Sequence, residues 1–141
     1  MALTDKQVQE IQETLSSYTS AYEKRDLKKF RDLLSPDAQG FGSGEDEQAI
    51  NRNELLNSVK RDLSQADNIQ VKFADLVING DGRVAWAMGS CIFDVKMDGQ
   101  SIEMGGRITL VLRNNGARWL FEQIHFSMPF SGQKSGQSFG G

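Results

Sequence analysis

The sequence predicts one α+β domain in which a strongly curved antiparallel sheet wraps around three N-terminal helices. Three observations lead to this prediction. The first half of the 141-residue chain has helical periodicity, the second half has four long segments of strand character, and tight-turn sequences separate those segments. Because helices and strands occupy separate halves of the chain, the pattern favours α+β over repeated βαβ units.

Three amphipathic segments are expected to form the helices. Thr4 with Gln7 has the spacing of a capping box at the start of the first helix. Asp26 is expected to cap a short second helix and Asn51 a third. The Gly-rich, acidic residues 40–47 between them are predicted to be irregular. The apolar positions of these helices are Val8, Ile11, Leu15, Tyr18 and Tyr22, then Leu27, Phe30, Leu33 and Leu34, then Leu55, Val59 and Leu63.

Four consecutive strands are predicted in the second half of the chain, starting near Ile69 and ending near Pro129. Each joins the next through a tight turn, which makes the sheet an antiparallel meander. At about 10–14 residues they are longer than usual, so they must bend to close over a core. Gly89 and the pair at 105–106 are the predicted sites of bulges or bends. The turns lie at residues 79–82, 98–99 and 114–116.

The chain is expected to divide into a folded domain and a tail. Residues 1–130 contain all the predicted elements. Residues 131–141 are rich in Gly, Ser and Gln and nearly free of apolar side chains. Such a composition cannot build a core, so a flexible tail is predicted there.

Composition and charge limit the partners. Apolar residues make up 38% of the chain and charged residues 25%, as in ordinary globular proteins. A formal net charge of −3 gives little attraction for nucleic acid or anionic membranes, so neither is expected as a partner. The single cysteine, Cys91, excludes an intramolecular disulfide. With neither a signal-peptide pattern nor an apolar stretch of about 18 residues, the expected location is the cytoplasm.

Both faces of the predicted strand at residues 83–96 are apolar. A sheet with one solvent-exposed face would show a cleaner alternation of apolar and polar residues. We therefore expect a homodimer packed sheet to sheet. The two sets are Val84, Trp86, Met88 and Ile92 against Ala85, Ala87, Cys91, Phe93 and Val95.

Three stretches carry a resemblance to a known family. They are YTSAYEKRDL at residues 18–27, GFGSGEDE at 40–47 with NEL at 53–55, and GRITLVL at 106–112 followed by Trp119 and HFS at 125–127. In this order they are similar to the SnoaL-like branch of the nuclear transport factor 2-like superfamily, over roughly residues 4–130. Ketosteroid isomerase and the association domain of calcium/calmodulin-dependent protein kinase II are related. The resemblance implies the cystatin-like cone and a cavity for a small molecule.

His125, the only histidine, lies on the last predicted strand. If that strand is regular, His125 shares a face with Trp119 and Ser127, and that face is expected to line the cavity. A histidine there would act as a general acid or base or as a ligand donor. The alternative is a buried histidine bonded to a carboxylate or the backbone. A histidine-cluster metal site is excluded because there is no second histidine.

Arg107 interrupts an apolar strand and alternates with Thr109 and Val111. If that face lines the cavity, the guanidinium needs an anion, either a ligand carboxylate or a protein carboxylate such as Glu47, Asp46 or Glu103. The resemblance implies the first, because the kinase association domain has a pocket arginine at the matching place. The alternative is an exposed surface arginine.

Tyr18 is placed by the resemblance on the oxyanion-donor tyrosine of ketosteroid isomerase. The general-base aspartate of that enzyme then falls on Gly42, which has no side chain to move a proton. Asp46 or Glu47 could supply the missing carboxylate from the same loop. The alternative for Tyr18 is a core residue of an amphipathic helix.

Three functions remain open from the sequence. The first is a small-molecule binding protein. The second is an isomerase, cyclase or dehydratase acting on a small carbonyl or carboxylate substrate. The third is an oligomerisation module without a ligand. The candidate catalytic residues are His125, Tyr18 and Asp46, and the candidate ligand-binding residues are Arg107, His125, Tyr18, Trp86, Glu47, Trp119 and Ser127. No metal and no cofactor are expected, because the acidic loop lacks a cation-binding spacing and the glycines lack a phosphate-loop pattern.

Overall fold

A computed structural model describes residues 2–140. The helices precede most of the strands, and the α+β prediction is confirmed. The helices are α1 (Asp5–Lys24), α2 (Leu27–Leu33) and α3 (Arg52–Gln65). The strands are β1 (Leu34–Phe41), β2 (Gln48–Ala49), β3 (Asn68–Asp81), β4 (Val84–Met97), β5 (Gln100–Asn114) and β6 (Trp119–Ser127).

The helices begin where the capping residues predict. The Thr4 hydroxyl accepts a hydrogen bond from the Gln7 backbone N–H at 3.1 Å, and the Gln7 side chain accepts one from the Thr4 N–H at 3.0 Å. Asp26 and Asn51 each accept a bond from the backbone N–H three residues later. These bonds satisfy backbone donors that a helix start leaves unpaired.

The sheet has the strand order β2-β1-β6-β5-β4-β3. Strands β3 to β6 form the predicted antiparallel meander. The prediction that residues 40–47 are wholly irregular is wrong at its start, because β1 reaches Phe41 and pairs parallel to β6. Strand β1 contains Pro36 and Gly40, which have low strand propensity, so its pairing depends on the free edge of β6.

The core lies between the helices and the concave face of the sheet. Each large apolar side chain removed from water there contributes on the order of 2 kcal/mol to folding. The thiol of Cys91 is buried in the same cluster and forms no disulfide. The most deeply buried large side chains are Phe30, Phe121, Ile11, Ile108, Leu110 and Leu112.

The predicted glycine positions differ in how their strands pair. Opposite Gly89, the register of β3 shifts between Ala74 and Val77, so the irregularity lies in the partner strand. At residues 105–106, β4 and β5 pair without a shift, so there is no bulge between these strands, and a bend there remains a prediction. Gly106 instead allows a close approach, since a Cβ at this position would lie 2.4 Å from the Ser127 carbonyl oxygen.

Residues 131–140 are exposed and contain neither helix nor strand. The division into a domain and a flexible tail remains a prediction, and its two ends, Met1 and Gly141, lie outside the described residues. No helix within residues 2–140 combines the length and apolar character needed to cross a bilayer.

We expect Gly106→Ala to lower the free energy of unfolding by about 1–3 kcal/mol, because the new methyl group would overlap backbone and the Phe126 ring. Gly105→Ala is the matched control, because its Cβ meets nothing within 4 Å. Urea unfolding of both variants measures the difference. Equal stability of the two would contradict the close approach at Gly106.

Candidate functional site

One extra residue in β6 determines which side chains face the cavity. Val111 of β5 pairs with Gln123, whereas its neighbour Leu112 pairs with Phe121, so Glu122 has no partner of its own. Such a bulge reverses the alternation of side chains for the rest of the strand. Trp119 and Phe121 therefore face the core before the bulge, and Ile124 and Phe126 face it afterwards.

His125, Ser127 and Arg107 consequently lie on the convex face. Thr109 pairs with His125, and Arg107 pairs with Ser127, and residues directly opposite each other share a face. His125 and Arg107 are exposed, and Ser127 is half-buried. The expectation that these three residues line the cavity is wrong. The bulge at Glu122 displaces the histidine, and the apolar alternate residues of β5 occupy the inner face in place of the arginine.

The other predicted residues divide between the core, the surface and the cavity. Trp86 is 47% exposed on the convex face, and Trp119 is 2% exposed in the core, so neither lines the cavity. Asp46 is exposed and also lies outside it. Tyr18 and Glu47 do line the cavity.

The cavity lies between the helices and the concave face of the sheet and has a volume of about 280 Å³. This is close to the lower end of the range for small-molecule sites, and it equals roughly the liquid volume of nine waters. Aromatic rings form much of the wall. Tyr22 packs edge-to-face on Phe30 with centroids 4.6 Å apart, and Phe93 on Phe126 at 4.9 Å. Phe41, Ser43 and Gln65 are its more exposed lining residues and mark the mouth.

Asp62 of α3 is the polar centre of this cavity. The Tyr22 hydroxyl donates a long hydrogen bond of 3.4 Å to Asp62 Oδ2. Burial, and secondly the negative charge of Glu47, raise the pKa of the Asp62 carboxyl from 3.8 to about 6. The carboxyl can therefore exchange a proton near neutral pH.

Tyr18 extends the polar centre along α1. Its ring packs edge-to-face on Tyr22, with the two centroids 5.5 Å apart. Burial raises the pKa of both phenols, so both stay neutral hydrogen-bond donors.

Sequence reasoning missed Asp62, although a signal was present. It stands three residues after Val59 and four before Ala66, on the face that α3 turns towards the core. A carboxyl at a core-facing position of an amphipathic helix breaks the apolar pattern. That break was the available indication of a functional side chain.

A clamp holds the loop at the cavity mouth. Arg61 Nη1 lies 2.7 Å from Asp46 Oδ2, and Arg61 Nη2 lies 2.6 Å from Glu47 Oε1. The bond from the guanidinium holds the pKa of Asp46 below its usual value. The two ion pairs fix the loop of residues 42–47 to α3.

Glu47 occupies the space beside Gly42. A Cβ on Gly42 would lie 1.8 Å from Glu47 Oε2, so the carboxylate stands where a side chain at position 42 would begin. Gly42 is the position on which the resemblance places a general base. The loop thus brings a carboxylate to that place from five residues further along the chain.

Helices packed inside a curved sheet, with an aromatic-lined cavity between them, define the nuclear transport factor 2-like class of proteins. Solved structures show the same fold. A superfamily member from Salmonella enterica serovar Typhimurium superposes with a TM-score of 0.83 at 20% identity, covering 97% of this chain and 100% of its own. A proposed dehydratase from Streptomyces avermitilis superposes with a TM-score of 0.78 at 15% identity, covering 91% of this chain and 100% of its own.

A proposed calcium/calmodulin-dependent protein kinase II association domain from Xanthomonas campestris also gives a TM-score of 0.78, at 18% identity, covering 86% of this chain and 87% of its own. The family model of the SnoaL-like domain matches residues 11–131. The chain therefore belongs to the SnoaL-like family, and the resemblance seen in the sequence is confirmed. A search of curated proteins finds no match to it.

We expect Asp62→Asn to stabilise the protein at about pH 7. The folded pKa of about 6 lies above the ordinary value of 3.8, so the stability contributed by neutral Asp62 is complete below pH 3.8 and lost as pH rises through 6. The variant should gain about 1–3 kcal/mol at neutral pH and nothing below about pH 4. Urea unfolding across this pH range measures the gain.

Asp67→Asn, which changes an exposed carboxylate just beyond α3, is the control. If the free energies of unfolding of Asp62→Asn and the parent differ by the same amount at every pH, the raised pKa of Asp62 is contradicted.

Proposed function

We propose that this protein binds a small molecule in the cavity between its helices and its sheet. The observation that carries the proposal is Asp62, a carboxyl held among aromatic rings with one long hydrogen bond from Tyr22. Burial raises the pKa of this carboxyl to about 6. A carboxyl with a raised pKa reduces folding stability at neutral pH, where it is ionised. Such a cost is typical of groups retained for binding or chemistry. Tyr18 and Glu47 complete the polar contacts.

A second candidate is an acid–base enzyme of the isomerase, cyclase or dehydratase kind, acting on a small carbonyl compound. The pKa of Asp62 favours it, because a group that titrates near neutral pH serves as either acid or base. The neutral phenol of Tyr18, which lines the cavity, is a suitable donor to a developing oxyanion. One structural neighbour is named as a proposed dehydratase, which supports the reaction class. His125 and Arg107 do not line the cavity, so this candidate function assigns its acid–base role to Asp62 in place of His125.

The convex face of the sheet supports the homodimer that the sequence predicts. Val77, Trp86 and Met88 are 57%, 47% and 63% exposed there. A cluster of exposed apolar side chains on one sheet face is typical of a protein–protein contact. We propose that a second copy covers this face, which leaves the cavity on the other side free. A cytoplasmic location and the absence of nucleic-acid and membrane partners remain predictions.

We expect a screen of aromatic and alicyclic fragments of about ten non-hydrogen atoms to find compounds that raise the melting temperature by several degrees. Ser58→Trp should abolish these shifts, because Ser58 lines the cavity. Ser64→Trp, at an exposed serine of the same helix, should keep them. Failure of every fragment, or equal shifts in Ser58→Trp, would contradict ligand binding. If a bound fragment is chemically converted, and Asp62→Asn abolishes this conversion, the protein is an enzyme.

We expect Met88→Glu to convert the dimer into a monomer, because a charge buried between two sheets would lack a partner. Gln12→Glu, on the exposed side of α1, adds the same charge and should leave the dimer intact. Light scattering coupled to size exclusion at high micromolar concentration measures both. A monomeric parent protein would contradict the sheet-to-sheet dimer.

A further inference from the structure

We propose that the ligand of the cavity is a small organic cation, an apolar amine bound through its ammonium group to Asp62. This inference rests on the proposed function, because it requires that the cavity binds a small molecule. It reverses the sequence-based expectation of a carboxylate ligand. That expectation depended on Arg107, which lies on the convex face.

The charges around the cavity favour a cation. Asp62 and Glu47 both line it, and no lysine, arginine or histidine among residues 2–140 does so. The cation at its border, Arg61, already bridges Asp46 and Glu47. The other guanidinium beside this end of α3, that of Arg25, donates to the backbone oxygens of Leu63 and Ala66. Within the described residues Asp62 therefore has no ion-pair partner, and its negative charge would repel an anionic ligand.

Asp62 is the carboxylate left for a ligand. Its hydrogen bond within the described chain comes from a neutral phenol at Oδ2, and no described residue donates to Oδ1. A partly desolvated carboxylate is best stabilised by a charged donor, whose hydrogen bond is roughly twice as strong as a neutral one. An ammonium group at Oδ1 would supply that donor and remove part of the desolvation cost.

The aromatic walls suit the rest of an amine ligand. Tyr22, Phe30, Phe93 and Phe126 form a cluster of edge-to-face rings around the polar centre. Aromatic rings attract cations through their quadrupole and bury apolar carbon equally well. A metal ion is a poorer fit, because no group of three ligating side chains occurs in the part of the chain that the structure describes.

Three probes of similar shape test the charge. They are 2-phenylethylamine, 2-phenylethanol and 3-phenylpropionate, which are cationic, neutral and anionic at about pH 7.5. Isothermal titration of the full chain should show the amine binding at least about tenfold more tightly than the alcohol, with no detectable binding of the propionate. Asp62→Asn should reduce the affinity for the amine to that for the alcohol, whereas Asp67→Asn should leave the preference unchanged.

The outcomes separate this inference from the proposed function. If the alcohol and the amine bind equally tightly, the cation preference is overturned while the cavity is supported as a binding site. Preference for the amine that persists in Asp62→Asn would overturn the role of Asp62. Failure of all three probes would also overturn the inference. In that case the fragment screen with Ser58→Trp decides independently whether the cavity binds anything.

Discussion

The register of β6 against β5 determines the chemistry of both faces of the sheet. Side chains alternate along a strand, so one additional residue exchanges the faces for all that follow. With Glu122 as that residue, Ile124 and Phe126 close the cavity and His125 lies on the convex surface. The sheet therefore contributes an apolar wall. The charged and hydroxyl groups of the cavity come from the helices and the loop of residues 42–47.

The parts of the fold that could be predicted are those with local stereochemical requirements. Thr4 and Asn51 cap helices through their own side chains, and the glycine-containing turns connect the strands of the meander. Strand β1 and the bulge at Glu122 have no such signal. Glutamate has no special backbone requirement, so the bulge follows from how β6 pairs with its neighbour. The prediction that His125 faces the cavity assumed a regular strand and failed for this reason.

The site was predictable only where it depends on local sequence patterns. Tyr18 lies on a periodic helix face, and periodicity places a residue towards the core without any knowledge of tertiary contacts. The acidic loop could be expected to turn one carboxylate inward, but the choice of Glu47 over Asp46 depends on where Arg61 reaches. The raised pKa of Asp62 depends on burial, which exists only once the sheet covers α3.

The geometry of one helical turn explains how a cation and an unpaired carboxyl can be neighbours. Successive residues of an α-helix do not face each other, so Arg61 and Asp62 point in different directions from adjacent positions. Arg61 reaches the loop and holds the cavity mouth in place, while Asp62 reaches Tyr22 inside. The guanidinium that fixes the loop bonds Asp46 and Glu47 and not Asp62, although its charge partly offsets the rise in the pKa of Asp62. α3 thus both shapes the entrance and places a carboxyl inside the cavity, and the proposed preference for a cationic ligand depends on this arrangement.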